Sequence, residues 1–434
     1  MYVSSALLTL GAVGPLLFGS QREKSGAKSV HRLTRLRASN VVQEHHVNKF
    51  GFLIVILFVA TRFAFPQSAR GPSGIEFKNG GYSTGWVDFD FYNGNQVYVP
   101  ARINGFETFV LLVNSLGAAR IDQNFAASIG LKANGGEGNP SAMVDVQIGN
   151  LTLKGISANI TPSKPSQHVR TLILGDDLFE NLVVDLDFMR HRIAISESPH
   201  FTRPVDAVEL DFKRVADARS VPVSVDGAVP VQFELFLGDP APITVYEGYY
   251  LDHQLLANRR TSVRLGGGPN TPKEAVATLD RVRFAGGDFS SLPGVFPSDS
   301  VRGNSSTLVS GNVGMEMLSR FRLIFDCPHD RLYAVPYAGV AKAPFLKDRS
   351  GLFISEKNGD YLVQFVAPNS PAEKAGFKAG DAVTMIDKKP VQTFLGQAWQ
   401  SPALGSLRPT PPGITFVFTL KDGSVRRLRT ADFF

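Results

Sequence analysis

Leu172-Ile173-Leu174-Gly175, followed by Phe179, Leu182, Val184, Asp187, Arg192 and Ile193, returns 139 residues later as Asn312-Val313-Gly314, followed by Leu318, Phe321, Leu323, Asp326, Arg331 and Leu332. A glycine, an aspartate and an arginine held in register with five apolar positions mark a duplicated unit, and repetition constrains architecture before any single motif does. The two units also open alike. Val97-Tyr98-Val99-Pro100 runs into Asn104-Gly105, and Ser220-Val221-Pro222-Val223 runs into Asp226-Gly227. Both alternate apolar residues up to a pair that tolerates positive φ, the strongest short-range hairpin signal. A second apolar strand follows each turn, Phe109 to Val113 and Phe233 to Leu237. Each unit therefore reads as a β-rich lobe of about a hundred residues or slightly more.

A chain of 434 residues is too long for one ordinary core. Its 41 Gly and 27 Pro favour turns over long helices, so the expected class is mainly β. The formal charge of +6 invites a nucleic-acid reading, but residues 1–70 hold nine Lys/Arg against two Asp/Glu, an excess of seven that leaves the remainder near −1. No basic, phosphate-reading surface is expected in the folded part, and nucleic acid is excluded as a partner. Cys327 is the only cysteine and cannot form an intramolecular disulfide. No Cys/His cluster has zinc spacing, so neither a metal nor a cofactor is expected.

Phe50 to Ala60 (FGFLIVILFVA) is an apolar run after Lys49, closed by Arg62. A membrane span needs about 20 residues, and this run has the length of a signal-peptide core, so export to the periplasm or beyond the cell is expected. The small-residue cleavage position near Ser68-Ala69 is flawed by Gln67. An uncleaved anchor through residues 50–60, the only expected membrane contact, therefore stays open. So does the true start, because a weaker apolar stretch, Ala6 to Phe18, precedes a basic segment from Arg22 to Arg37.

The paired pattern resembles retroviral-type (retropepsin-like) aspartic peptidases of bacterial-type proteins. In that family each lobe has a strand-turn-strand opening, an Asp-Thr/Ser-Gly loop directly after the second strand, and an apolar-apolar-Gly strand crossing beneath the loop. Ile173-Leu174-Gly175 and Val313-Gly314 look like the crossing strands, where glycine permits close backbone approach. The resemblance covers residues 96–205 and 206–340 as two lobes and implies an endopeptidase whose two carboxylates share one proton.

The catalytic positions depart from that pattern. Counted from the apolar strands, Asn114-Ser115-Leu116-Gly117-Ala118 replaces the first motif, and Gly238-Asp239-Pro240-Ala241 replaces the second. Asn114 cannot take a proton near neutral pH, and Gly238 has no side chain. A shift by one residue makes Asp239 the candidate, followed by Pro240, which lacks an amide hydrogen. At best one carboxylate survives. Asp176, Asp177, Asp185 and Asp187 lie after the crossing strand, and Asp187 and Asp326, repeated ahead of Arg192 and Arg331, read as turn or ion-pair residues. His168, His191, His253 and His329 are scattered, and no nucleophile motif offers a substitute. Gly266-Gly267-Gly268-Pro269-Asn270 reads as a hairpin tip rather than a flap over the interlobe cleft.

From about Pro344 the pattern changes. Ser350-Gly351-Leu352-Phe353-Ile354, the strand Tyr361 to Val366, Ser370-Pro371-Ala372-Glu373-Lys374-Ala375-Gly376 and Gly380-Asp381 resemble the PDZ domains of periplasmic proteases. The resemblance implies that Gly351, Leu352, Phe353 and Ile354 bind a peptide: loop amides meet its terminal carboxylate and a strand edge pairs with it. A groove helix is expected near Gln397 to Leu404.

The expected organisation is a targeting region (1–70), a linker (71–95), two peptidase-like lobes in the manner of a pepsin-like pseudo-dimer, and a PDZ domain (341–434). The leading functional reading is an exported, catalytically impaired protein that binds peptide or protein C-termini through the PDZ domain, with the interlobe cleft as a second peptide site. Two alternatives stay open: an active aspartic endopeptidase using Asp239 with an unrecognised second acid, and a structural envelope protein.

Overall fold

The computed structural model describes residues 72–434 apart from 93, 135–139, 164–170, 216–217, 267–272, 299–307, 340–341, 358, 394–406 and 408–409. The apolar run 50–60, His168, most of the Gly266–Asn270 tip and the expected helix at 397–404 lie outside the described residues. No helix among the described residues is long and apolar enough to cross a membrane.

The chain is mainly β. The first lobe contains β1 (Gly74–Phe77), β2 (Ser83–Asp88), β3 (Asp90–Tyr92), β4 (Gln96–Ile103), β5 (Phe106–Leu112), β6 (Arg120–Asp122), the helix α1 (Gln123–Ser128), β7 (Ser141–Ile148), β8 (Leu151–Thr161), β9 (Leu172–Leu174), α2 (Asp176–Phe179), β10 (Val183–Asp187) and β11 (Arg192–Ser196). The second lobe repeats the plan with β12 (Val208–Leu210), β13 (Lys213–Val215), β14 (Ala218–Val225), β15 (Val231–Leu235), β16 (Ile243–Val245), α3 (Glu247–Asp252), β17 (Thr261–Leu265), β18 (Lys273–Phe284), β19 (Gly287–Phe296), β20 (Gly311–Val313), α4 (Met315–Leu318), β21 (Phe321–Asp326) and β22 (Arg331–Pro336).

Period-two patterning explains the strands. In β7, Ala142, Val144, Val146 and Ile148 are buried while Met143 is 51% exposed, as a sheet with one face on a core requires. The β4–β5 hairpin turns through Asn104 and Gly105, with φ of 50° and 87° and Ile103 opposite Phe106, the two-residue turn expected of that pair. Within each lobe the topology is the same. β5 runs parallel to β9 and β15 parallel to β20, while β6 and β16 each pair antiparallel with that crossing strand and parallel with the next.

A six-stranded sheet, β12-β22-β21-β10-β11-β2, joins the lobes. At its centre Val184 pairs with Phe325 and Leu186 with Leu323, on either side of Asp185 opposite Ile324. Val184 and Leu323, and likewise Leu186 and Phe325, are equivalent across the 139-residue repeat and lie diagonally to each other, so a pseudo-twofold axis passes through the Asp185/Ile324 pair. The repeat read from the sequence is thus a twofold axis in space.

Residues 71–95, expected as a linker, instead hold three strands. β1 pairs with β8, β3 with β4, and β2 completes the joining sheet beside β11. Trp86 of β2 lies beneath Arg192 and Arg322, 4.1 and 5.2 Å from the ring centre, a cation–π contact that ties this edge to both lobes.

The C-terminal module comprises a two-stranded sheet, β23 (Leu352–Lys357) and β24 (Asp360–Val366), the helix α5 (Pro371–Lys374), and a four-stranded sheet in the order β26 (Lys389–Pro390), β25 (Val383–Ile386), β27 (Thr415–Leu420) and β28 (Val425–Arg429). Ser370 caps α5 by accepting from the Glu373 amide, and Glu373 reaches back to the Asn369 amide, a reciprocal arrangement that fixes a short helix. Its core gathers Ile354, Val363, Ala372, Phe377, Ile386, Phe418 and Leu428. Residues 343–347, on the PDZ side of the expected boundary, pack against the second lobe: Phe345 lies under Arg320 at 3.6 Å, and Arg320 donates to the carbonyls of Ala343 and Pro344.

Candidate functional site

The β5 and β15 strands end in loops that meet near the pseudo-twofold axis. Leu112 stands opposite Leu174, and Leu235 opposite Val313. The next amides, of Val113 and Phe236, donate to the Leu174 and Val313 carbonyls, each at 3.0 Å. Two residues further on, just past the crossing strands, the Asp176 and Met315 amides donate to the carbonyls of Leu116 and Asp239. The symmetric pairs are therefore Val113/Phe236, Asn114/Leu237, Ser115/Gly238 and Leu116/Asp239.

This register corrects the expectation that Gly238 is the partner of Asn114; the partner is Leu237. The apolar run Phe233–Leu237 continues past the end of its ladder, so counting from hydrophobic residues overshoots by one. The residues directly after the two strands are Val113 and Phe236. Of the four symmetric pairs only Leu116/Asp239 contains an acid.

Asn114 is fully buried and acts across the lobe boundary. Its Nδ2 donates to the Leu235 carbonyl at 2.8 Å, and its Oδ1 accepts from the Leu237 amide at 3.1 Å. The second lobe returns the contact through Arg219, whose guanidinium donates to the Asn114 carbonyl and pairs with Asp176 at 2.8 Å and with Glu180. Asp239 is occupied within its own loop: Oδ1 accepts from the Ala241 amide at 2.9 Å and Oδ2 from the Thr244 hydroxyl at 2.7 Å. The Gly238 carbonyl accepts from Asn95 at 2.6 Å.

The crossing glycines do what the sequence suggests. A Cβ on Gly175 would lie 2.3 Å from the Leu116 carbonyl oxygen, and one on Gly314 would lie 2.2 Å from that of Ala241. Val113 packs with Phe109 and Ile173 against Tyr92, Tyr98 and Leu111, which gives the first-lobe side of the loop an apolar lining.

The remaining carboxylates have structural partners. Asp177 accepts from the Ala119 amide at 3.2 Å, Asp185 pairs with Arg322, and Asp187 takes Tyr337, Arg190 and Arg192. Burial pushes Asp177 up to about 6 despite the Ala119 amide. The Asp187–Arg192 pair expected from the sequence forms, whereas Asp326 turns to Ser198 and His329 and Arg331 turns towards Glu209. Ser198, His329 and Asp326 line one cavity, but Ser198 and Asp326 share the same nitrogen, Nδ1 of His329, and Ser198 donates to Asp326. A serine nucleophile needs one imidazole nitrogen for its proton and the other for the carboxylate, so this cluster is not a triad. His253 stacks on Tyr249, and His191 lies in a turn against Phe89. Cys327 is buried, and burial pushes its thiol up to about 12, which leaves it unreactive. No group of three or more metal-ligating side chains occurs among the described residues.

In the C-terminal module Gly351 takes φ +68°, and Leu352 and Ile354 are core residues while Phe353 is 36% exposed on β23. The loop amides are engaged within the chain. Ser350 and Gly351 donate to the Asp348 carboxylate at 2.8 and 3.1 Å, and Leu352 donates to the Ser350 hydroxyl at 3.2 Å. Sequence reasoning missed Asp348. The sequence signal was an acid two residues ahead of Ser-Gly, the spacing at which a carboxylate caps the amides that follow it.

A PDZ domain profile matches residues 363–397. No curated protein matches the chain in sequence. Among solved structures, the chain is similar to Basic 7S globulin from soybean, at 9% identity and a TM-score of 0.36, covering 58% of this chain and 94% of that one. It is also similar to the aspartic proteinase from Irpex lacteus, at 11% identity and a TM-score of 0.37, covering 59% and 98%. The C-terminal module thus contains a PDZ domain match at residues 363–397, and the two lobes are defined by strand pairing within this chain.

Proposed function

We propose that the protein is an exported, catalytically silent aspartic-peptidase-like protein that binds extended polypeptide segments, through the PDZ module and in the groove between the lobes. The observation that carries this reading is the register of the interlobe loops. Val113/Phe236, Asn114/Leu237 and Ser115/Gly238 offer no acid, and the lone Asp239 is committed to Ala241 and Thr244. Water-driven amide cleavage in this scaffold needs two carboxyl groups close enough to share a proton. The PDZ match supports recognition of a peptide, and the apolar side chains around Val113 suit an extended chain. Export rests on the run Phe50–Ala60 after Lys49.

The test is incubation of the purified full chain with a denatured protein at acid pH, with binding and cleavage both followed. Binding without cleavage is expected. Pepstatin-sensitive cleavage that disappears in Asp239→Ala would restore the endopeptidase reading, and absence of any binding would remove the recognition reading.

A further inference from the structure

The PDZ loop already holds an anion. Asp348 Oδ1 accepts from the Ser350 amide and the Ser350 hydroxyl, both at 2.8 Å, and from the Gly351 amide at 3.1 Å, while Oδ2 accepts from the same Gly351 amide at 3.2 Å. The Leu352 amide donates to the Ser350 hydroxyl. Three consecutive amides, of Ser350, Gly351 and Leu352, the last two in the loop expected to receive a terminal carboxylate, are thus satisfied from within.

This arrangement is held from several sides. With its left-handed conformation Gly351 turns successive amides towards one point, the concave geometry that binds anions. A side chain there is excluded, since its Cβ would lie 2.2 Å from that of Ser370. The carbonyls of Ser350 and Gly351 accept from Ala372 and Ala367. Upstream, Arg349 is tied down by the Ala431 amide and by an ion pair with Asp432 at 2.9 Å. An incoming carboxylate would meet the Asp348 charge beside a loop whose amides at Ser350, Gly351 and Leu352 are already engaged, and like charges at contact distance repel strongly. The strand edge beside the loop is different. β23 pairs only with β24 among the described residues, so its outer edge can accept another strand.

We propose that Asp348 is the built-in occupant of the carboxylate cradle and sets the specificity of the module: it admits internal extended segments of a partner polypeptide along β23 and excludes free carboxy termini. This inference rests on the peptide-binding reading above and narrows its partner class. It replaces the sequence-based expectation that the module captures chain ends.

The experiment exposes the immobilised full chain to two pools of the same randomised decapeptides, one with free C-terminal carboxylates and one amidated. Wild type should retain the two pools equally, within about two-fold. Asp348→Ala, which vacates the Ser350 and Gly351 amides, should retain about ten-fold more free acid than amide, the scale of one charge-assisted hydrogen bond. Asp348→Asn keeps an oxygen in the cradle and should discriminate no more than wild type. A ten-fold preference of wild type for the free acid overturns the inference without recourse to any variant. So does a folded Asp348→Ala, with an unchanged melting temperature, that gains no preference. Retention of neither pool by any of the proteins overturns the peptide-binding reading itself.

Discussion

Asn114 occupies a position where one carboxamide does the work of two backbone partners, accepting from Leu237 and donating to Leu235 across the lobe boundary. Truncation to alanine would leave both buried groups unpaired, a cost of about 2 to 4 kcal/mol. Asn114→Asp should be no better, because the carboxylate turns an acceptor towards the Leu235 carbonyl in a site with no solvent exposure. Urea titration of the two variants checks this: both midpoints should fall, and an Asn114→Asp midpoint equal to that of wild type would mean that the cross-lobe bonds are misassigned. The sequence singles out Asn114 as a candidate position, but its role across the lobe boundary was not legible there. Hydrophobicity continues through Phe236 and Leu237 beyond the last ladder pair, so the alternation that marks β15 carries no sign of where the strand stops. Asp239, which the sequence singled out, is held by Ala241 and Thr244, a turn that only the fold brings together.

The crossing elements, β9 into α2 and β20 into α4, were the most legible, because their glycines mark backbone contacts too tight for any side chain. Asp177, in the first turn of α2, shows what such packing does to a carboxyl. It is 5% exposed, and burial lifts it to about 6, opposed by its bond from the Ala119 amide. In the folded state the proton is held more tightly than in the unfolded chain. Asp177 therefore contributes its stabilisation fully below about pH 4, and loses it as pH rises through about 6. The difference amounts to about 3 kcal/mol at neutral pH. Asp177→Asn keeps an acceptor for Ala119 and removes the titration, so its stability relative to wild type should climb across that window. Denaturation at a series of pH values reads the difference directly, and a gap that does not change with pH would show that Asp177 does not titrate there. The strands at 74–92 were less legible: Ile75, Phe77, Val87, Phe89 and Phe91 do alternate, but Gly80, Gly81 and Gly85 break the run into pieces too short to separate from a linker.

At the scale of the molecule the PDZ module is not a free appendage. Phe433 and Phe434 pack edge to face at 4.9 Å and share a small core with Ala367 of the module and with Ala241, Val276 and Val295 of the second lobe. Lys347 donates to Thr278 and to the Phe434 carbonyl, and Ser262 donates to the Pro368 carbonyl. These contacts bind the module to the paired strands β17 and β18. Burial of this kind couples two units into one cooperative transition, whereas a polar, loosely packed junction lets each melt alone. Replacing both phenylalanines by alanine removes most of the shared apolar surface, with each truncation costing up to about 3 to 5 kcal/mol when fully buried. The expected outcome is a calorimetric trace that splits, with the PDZ module melting ahead of the lobes, and new protease sensitivity between Tyr337 and Ser350. A single, merely lower transition would mean that the segment 343–347, with Phe345 beneath Arg320, holds the units together without the aromatic pair.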